Sequence, residues 1–89
     1  MMTEQEIIQQ LKVLLVEKLD LNLKLHEISE VSPLFKGGLN IDSLSIVELI
    51  VLIEQHFGFE WADEDVRPAN FQDLQTVARL IVQKRAAVI

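Results

Sequence analysis

The chain has 89 residues, 14 acids against 8 Lys and Arg, a net charge of −6 and no cysteine. That length makes one domain near the lower end of what folds alone, the lack of cysteine excludes a disulfide framework and a cysteine nucleophile, and the acidity disfavours nucleic acid and anionic membrane as partners. No apolar run approaches the roughly 20 residues of a membrane span, and Met1-Met2-Thr3-Glu4-Gln5-Glu6 carries acids where a signal peptide is basic, so a soluble, cytoplasmic protein is expected.

Taken in order, the residues predict helices joined by loops. Thr3 and Glu6 form a capping-box pattern, and Ile7, Ile8, Leu11, Leu14, Leu15 and Leu19 follow at helical spacing, so a first helix is expected over about 4–18. Leu21, Leu23 and Leu25 alternate like a strand, but one such segment has no partner and reads as loop with side chains anchored in the core. Ser32-Pro33 and Gly37-Gly38 mark a long connection, and a loop of this length in a small domain argues for a short helical turn around Pro33 to Lys36.

A second helix is expected over about 43–57, with Asp42 as N-cap and Gly58 as its stop. On a helical wheel Ile46, Ile50, Ile53 and Phe57 share one narrow face, the expected core stripe, while Leu44, Val47 and Val51 fall on a flank nearer Ser43. That flank is either a second buried side of a central helix or an apolar docking strip edged by Glu48 and Glu54. Phe59, Trp61 and Val66 surround Asp63-Glu64-Asp65, a run that suits a short helix over about 63–67; acids at the start of a helical turn need no functional explanation, and a divalent ion there is the weaker reading. Asp73 precedes a last helix over about 73–85, with Leu74, Val77, Ala78 and Ile81 at helical spacing and Lys84-Arg85 at its end. The chain is therefore read as a single all-α domain, residues 1–89.

Charge is unevenly distributed. From Gly37 to Val66 there are seven acids (Asp42, Glu48, Glu54, Glu60, Asp63, Glu64, Asp65) and no Lys or Arg. A solvated face is the usual meaning of such a run, but beside Ser43 it also suits docking of basic protein surfaces. Ser43 itself opens a helix, where backbone N–H groups and the helix dipole favour a phosphate on its hydroxyl. It is poorly placed as a catalyst: His56 lies about 20 Å along the same helix, and His26 has no third group or oxyanion site in view. No metal-ligand cluster or glycine-rich phosphate loop is present, so no catalytic residue is assigned and the chain is not expected to be an enzyme.

Asp42-Ser43-Leu44 after the glycine-marked loop, with Val47-Glu48-Leu49 following and Leu34-Phe35 before, resembles the acyl carrier proteins, and the likeness runs over nearly the whole chain. The resemblance implies a small four-helix bundle with a short third helix, and a 4′-phosphopantetheine arm placed on Ser43, between Asp42 and Leu44, by a separate transferase. It also implies acyl groups held as thioesters on that arm, acyl chains able to slip between helices, and partner enzymes that meet Leu44, Val47, Glu48, Val51 and Glu54. Fatty acid synthesis carriers usually have an acid two residues after the serine and a denser acidic second helix, where this chain has Ser45, Gln55 and His56. The stretch Asn70 to Ala78 is closer in style to carriers of specialised, polyketide or aminoacyl pathways. A discrete monomeric carrier of a specialised lipid or polyketide-type pathway is thus expected. Alternatives are a housekeeping fatty acid carrier, an aminoacyl or peptidyl carrier, or an unmodified helical interaction module.

Overall fold

A computed structural model describes residues 3–19, 23–35 and 37–87, and three α-helices dominate it: α1 (Glu4–Glu17), α2 (Ser43–Phe57) and α3 (Leu74–Ala87). Each begins at a polar side chain that takes up a free N–H. Thr3 accepts from the Glu6 N–H at 3.1 Å while the Glu6 carboxylate accepts from the Thr3 N–H at 3.1 Å. These bonds hold the Glu6 carboxyl below its ordinary pKa. Asp42 accepts from the Ser45 N–H at 2.8 Å, and Asp73 from the Thr76 N–H at 2.8 Å. Such caps satisfy donors that the helix leaves unpaired. Gly58 ends α2 in the left-handed region, φ 74°, where a side chain would be strained, and its N–H closes on the Glu54 carbonyl at 2.9 Å.

All three helices bury one face in a common core. α1 contributes Ile7, Ile8, Leu11, Leu14 and Leu15, α2 contributes Ile46, Leu49, Ile53 and Phe57, and α3 contributes Leu74, Val77, Ala78 and Ile81. The expected core stripe of α2 is corrected at one place. Leu49 is fully buried, whereas Ile50 is half-buried against the edge of the core. Measured round the helix from the buried Ile53, Leu49 lies about 40° away and Ile50 about 60° on the opposite side, so Leu49 sits nearer the middle of the buried face.

The α1–α2 connection also departs from expectation. It has a short helical turn at Leu25–Glu27, where the Lys24 N–H is held by the Glu27 carboxylate at 3.1 Å, while Pro33 to Phe35, the described part of the expected turn, are not helical. Leu34 is kept out of a helical turn because its bonds run elsewhere: its N–H donates to the Gln72 carbonyl at 2.8 Å and its carbonyl accepts from the Ile41 N–H at 2.8 Å, while the Phe35 carbonyl accepts from the Gly38 N–H at 3.1 Å in a tight turn just beyond. Leu25 is 47% exposed rather than anchored, Leu23 packs on the core edge, and Leu21 and Lys36 lie outside the described residues. The loop's buried anchors are instead Ile28, Leu34 and Ile41. At Gly38 the backbone passes so close to Pro33 that a Cβ would lie 1.9 Å from the Pro33 carbonyl oxygen, so only glycine fits.

Between α2 and α3 the expected single helix over about 63–67 is instead two 3₁₀ turns, Asp63–Asp65 and Pro68–Phe71, separated by an extended Arg67 (φ −138°, ψ 152°). The cause is Pro68, which disfavours helical backbone at the preceding residue and has no N–H to continue a helix. Among the described residues there is no strand, and no helix is long and apolar enough to cross a membrane.

Candidate functional site

Ser43 is exposed as the first residue of α2. It is presented by a short run in which each residue has a separate task. The Asn40 side chain accepts from the Gly37 N–H at 3.3 Å with Asn40 itself left-handed (φ 56°), Ile41 is buried as an anchor, and Asp42 caps the helix. The hydroxyl is thereby fixed at a rigid helix end while remaining open to solvent.

Beside it lies a cavity of about 230 Å³. One wall is α2, through Ser43, Ile46, Val47 and Ile50, with Phe35 from the long loop. The rest of the lining is Val66, Arg67, Pro68 and Phe71 from the segment between α2 and α3, so the lining is apolar except at Ser43 and Arg67. Ile50, half-buried in the core sense, is therefore a cavity residue.

The segment between α2 and α3 is held by a set of bonds spread over its whole length. Trp61 is the latch: its backbone N–H donates to a Glu54 carboxylate oxygen at 2.8 Å, and its indole N–H donates to the Ile50 carbonyl at 3.2 Å. Its ring meets Phe59 and Phe71 edge-on, with centroids 4.8 Å and 5.4 Å apart. Asp65, almost wholly buried, accepts from the Ala62 N–H at 2.9 Å and pairs with Lys84 of α3. The hydrogen bond from Lys84 is the main reason the Asp65 carboxyl is held below its ordinary pKa, outweighing the burial that pushes it up. The Asp65 carbonyl accepts from the Asn70 side chain at 2.8 Å, and Arg67 Nε donates to the Glu64 carbonyl at 2.6 Å.

The flank of α2 that starts at the cavity edge, where Val47 belongs to both, is apolar and open. Leu44, Val47 and Val51 are 79%, 57% and 44% exposed, which removes the reading of α2 as buried on two sides. Glu48 is exposed beside them, whereas Glu54 is half-buried with one oxygen engaged by Trp61. Gln55 and His56 are exposed at the far end of α2, and His56 Nε2 is bonded to Gln10 Oε1 of α1 at 2.6 Å. Among the described residues no group of three or more His, Asp or Glu is gathered as a metal site. Arg67 and the cavity residues Phe35, Val66, Pro68 and Phe71 were not singled out as site residues by sequence reasoning. The one local signal was Pro68, whose effect on Arg67 turns the segment back toward Ser43.

Comparison with known proteins identifies the family. Residues 9–81 match the family model described as the phosphopantetheine attachment site. The acyl carrier protein of Coprothermobacter proteolyticus is 36% identical over 80 residues, covering 90% of this chain and 88% of that protein. That of Thermosynechococcus vestitus is 34% identical over 86 residues, covering 97% and 100%. That of Buchnera aphidicola is 44% identical over a shorter stretch of 50 residues. With a family match over most of its length and full-length relatives above 30% identity, this chain belongs to the acyl carrier proteins, which carry acyl groups on a 4′-phosphopantetheine prosthetic group and are not themselves enzymes.

Proposed function

We propose that Ser43 is the residue that carries the 4′-phosphopantetheine arm, and that the exposed flank of α2 is where partner enzymes dock. The observation that carries the first part is an exposed hydroxyl at the first turn of a long helix, at the edge of an apolar cavity whose other polar lining residue is Arg67. These residues fit the group: first-turn N–H groups and the helix dipole suit its phosphate, and an open helix end gives a transferase access. The arm supplies a thiol for thioester linkage, chemistry for which this cysteine-free chain has no group of its own.

The protein's own residues orient and present. Asp42 holds the helix end that bears Ser43, while Leu44, Val47 and Val51 offer apolar contacts with Glu48 as the exposed rim charge. Glu54 contributes chiefly by holding Trp61, and so the cavity wall. Small, charge-steered contacts of this kind give fast and reversible docking, and tethering raises the local concentration of cargo without a tight interface. The partners are the phosphopantetheinyl transferase and acyl-handling enzymes with basic surfaces. A monomer in the cytoplasm fits a strip that must stay available and a chain without cysteine.

For pathway, we favour a specialised lipid or polyketide-type carrier. The support is the reduced acidity of α2, with Ser45, Gln55 and His56 where a denser acidic run would favour the fatty acid synthesis enzymes. Intact mass after incubation with coenzyme A, Mg²⁺ and a broad-specificity transferase tests the attachment. One added arm on the parent protein and none on Ser43→Ala is the expected result; an arm on the variant would place the site elsewhere. Exchange of this chain for a host's fatty acid synthesis carrier tests the pathway, with growth at the normal rate pointing to the housekeeping role instead.

A further inference from the structure

We propose that Arg67 is the counter-ion of the phosphodiester on Ser43, holding the root of the arm against the mouth of the cavity. This rests on the assignment of the arm to Ser43. The two residues lie 24 positions apart, yet they line the same cavity and are the polar members of its lining.

Three observations single Arg67 out. First, its guanidinium is in neither of the contact ion pairs Arg79–Glu4 and Lys84–Asp65; the Asp65 carboxylate feels its charge only as the smallest of the effects that hold that carboxyl low. A cation on the wall of an otherwise apolar cavity is an incomplete arrangement, and an anion at Ser43 completes it. Second, Arg67 is oriented in advance. Its backbone is fixed as extended by Pro68, its N–H donates to the Asp65 carbonyl at 3.0 Å, and its Nε donates to the Glu64 carbonyl at 2.6 Å. That leaves the two terminal nitrogens of the planar fork for an anion, the geometry that suits phosphate oxygens. Third, the surroundings make a counter-charge necessary. The stretch from Gly37 to Val66 holds seven acids and no Lys or Arg, and Asp42 adjoins Ser43, so a phosphodiester added there meets repulsion that the helix dipole only partly offsets. Arg67 is the first cation after that stretch, brought back to its start by the fold.

The pairing gives the arm a preferred direction at its root, over the cavity rather than out along Leu44 and Val51. Because Arg67 is exposed, the pair is weak and salt-sensitive, so a docking enzyme with its own basic surface can take the phosphodiester over.

The test uses the full chain in apo and arm-bearing forms, as the parent protein, Arg67→Gln and Arg67→Lys, each checked by intact mass. At low salt the parent is expected to melt on the order of 2–4 °C higher with the arm than without, a gain that shrinks near 1 M salt. Arg67→Gln should lose the gain and move the phosphodiester ³¹P resonance to its position in the unfolded protein, while Arg67→Lys keeps part of both. Melting of apo Arg67→Gln reports whether the fold is intact; if it is not, the salt dependence of the parent's ³¹P resonance decides by itself. An arm on Ser43 with the same ³¹P position and the same melting gain in Arg67→Gln overturns the role of Arg67 alone. An arm that Ser43→Ala still acquires overturns the Ser43 assignment, and this inference with it.

Discussion

Asp65→Asn should destabilise the protein by about 2 kcal/mol near neutral pH, and the loss should disappear in acid. Asparagine keeps an oxygen for the Ala62 N–H but cannot carry the charge that pairs with Lys84. The two side chains are 12% and 27% exposed, between the surface and the interior. Coulomb attraction at contact is about 4 kcal/mol for an effective dielectric constant near 20, much of it offset by desolvation. Exposed pairs are worth about 0–1 kcal/mol and breaking a buried one costs about 3–5, so about 2 kcal/mol is the fitting value for this pair. In a domain of this size that lowers the Tm by about 8–16 °C. The sign with pH follows from the depressed carboxyl pKa. The pair's contribution is complete above the ordinary Asp value of about 3.9 and is lost as pH falls through the lower value in the folded protein. Circular dichroism melts of parent and variant from neutral pH into acid measure the gap. Glu6, which Thr3 also holds low, titrates in both proteins and cancels in the difference. A gap below about 2 °C near pH 7, or one of equal size near pH 2, would refute the reasoning.

The same melts should separate two residues of α2 that a hydropathy scale treats alike. Leu49→Ala, at a fully buried position, should cost about 2–5 kcal/mol, whereas the exposed Val47→Ala should stay within about 0.5 kcal/mol of the parent; equal losses would contradict the assigned faces. Gly38→Ala must push the Pro33 backbone away, and is expected to lower the Tm and broaden amide resonances from Phe35 to Ser43, an outcome that an unchanged spectrum would rule out. Glu48→Lys should slow association with a basic partner enzyme in stopped-flow measurements while leaving the Tm nearly unchanged; a large stability loss would mean that Glu48 is structural.

Signals that act within a few residues were legible without coordinates. Thr3 and Glu6, Asp42 before Ser43, Gly58 after Phe57, and Asp73 before α3 each form or close a helix through bonds to neighbours three or four positions away. Three placements differed from expectation, the first two for a distant cause. The turn expected near Pro33 was displaced because Leu34 bonds to Gln72 and Ile41. Leu49 replaced Ile50 in the core because the helical period defines a stripe only to within the width of a face, and the packing of α1 and α3 selects its centre. The segment after Asp63 divided into two turns at Pro68, a local signal whose consequence for the site depends on where the chain then goes.

By itself the sequence determined the helical class, the N-caps of the three long helices and Ser43 at the head of α2, since periodicity and capping are properties of contiguous residues. It also placed His56 about 20 Å along the same helix from Ser43, out of reach as a base for its hydroxyl. Only the tertiary structure decided that the flank of α2 stays open, that Glu54 and Trp61 hold a cavity wall, and that Arg67 and Ser43 share one cavity. These depend on contacts between residues far apart in the chain, which burial of the common core brings together and which no local pattern encodes.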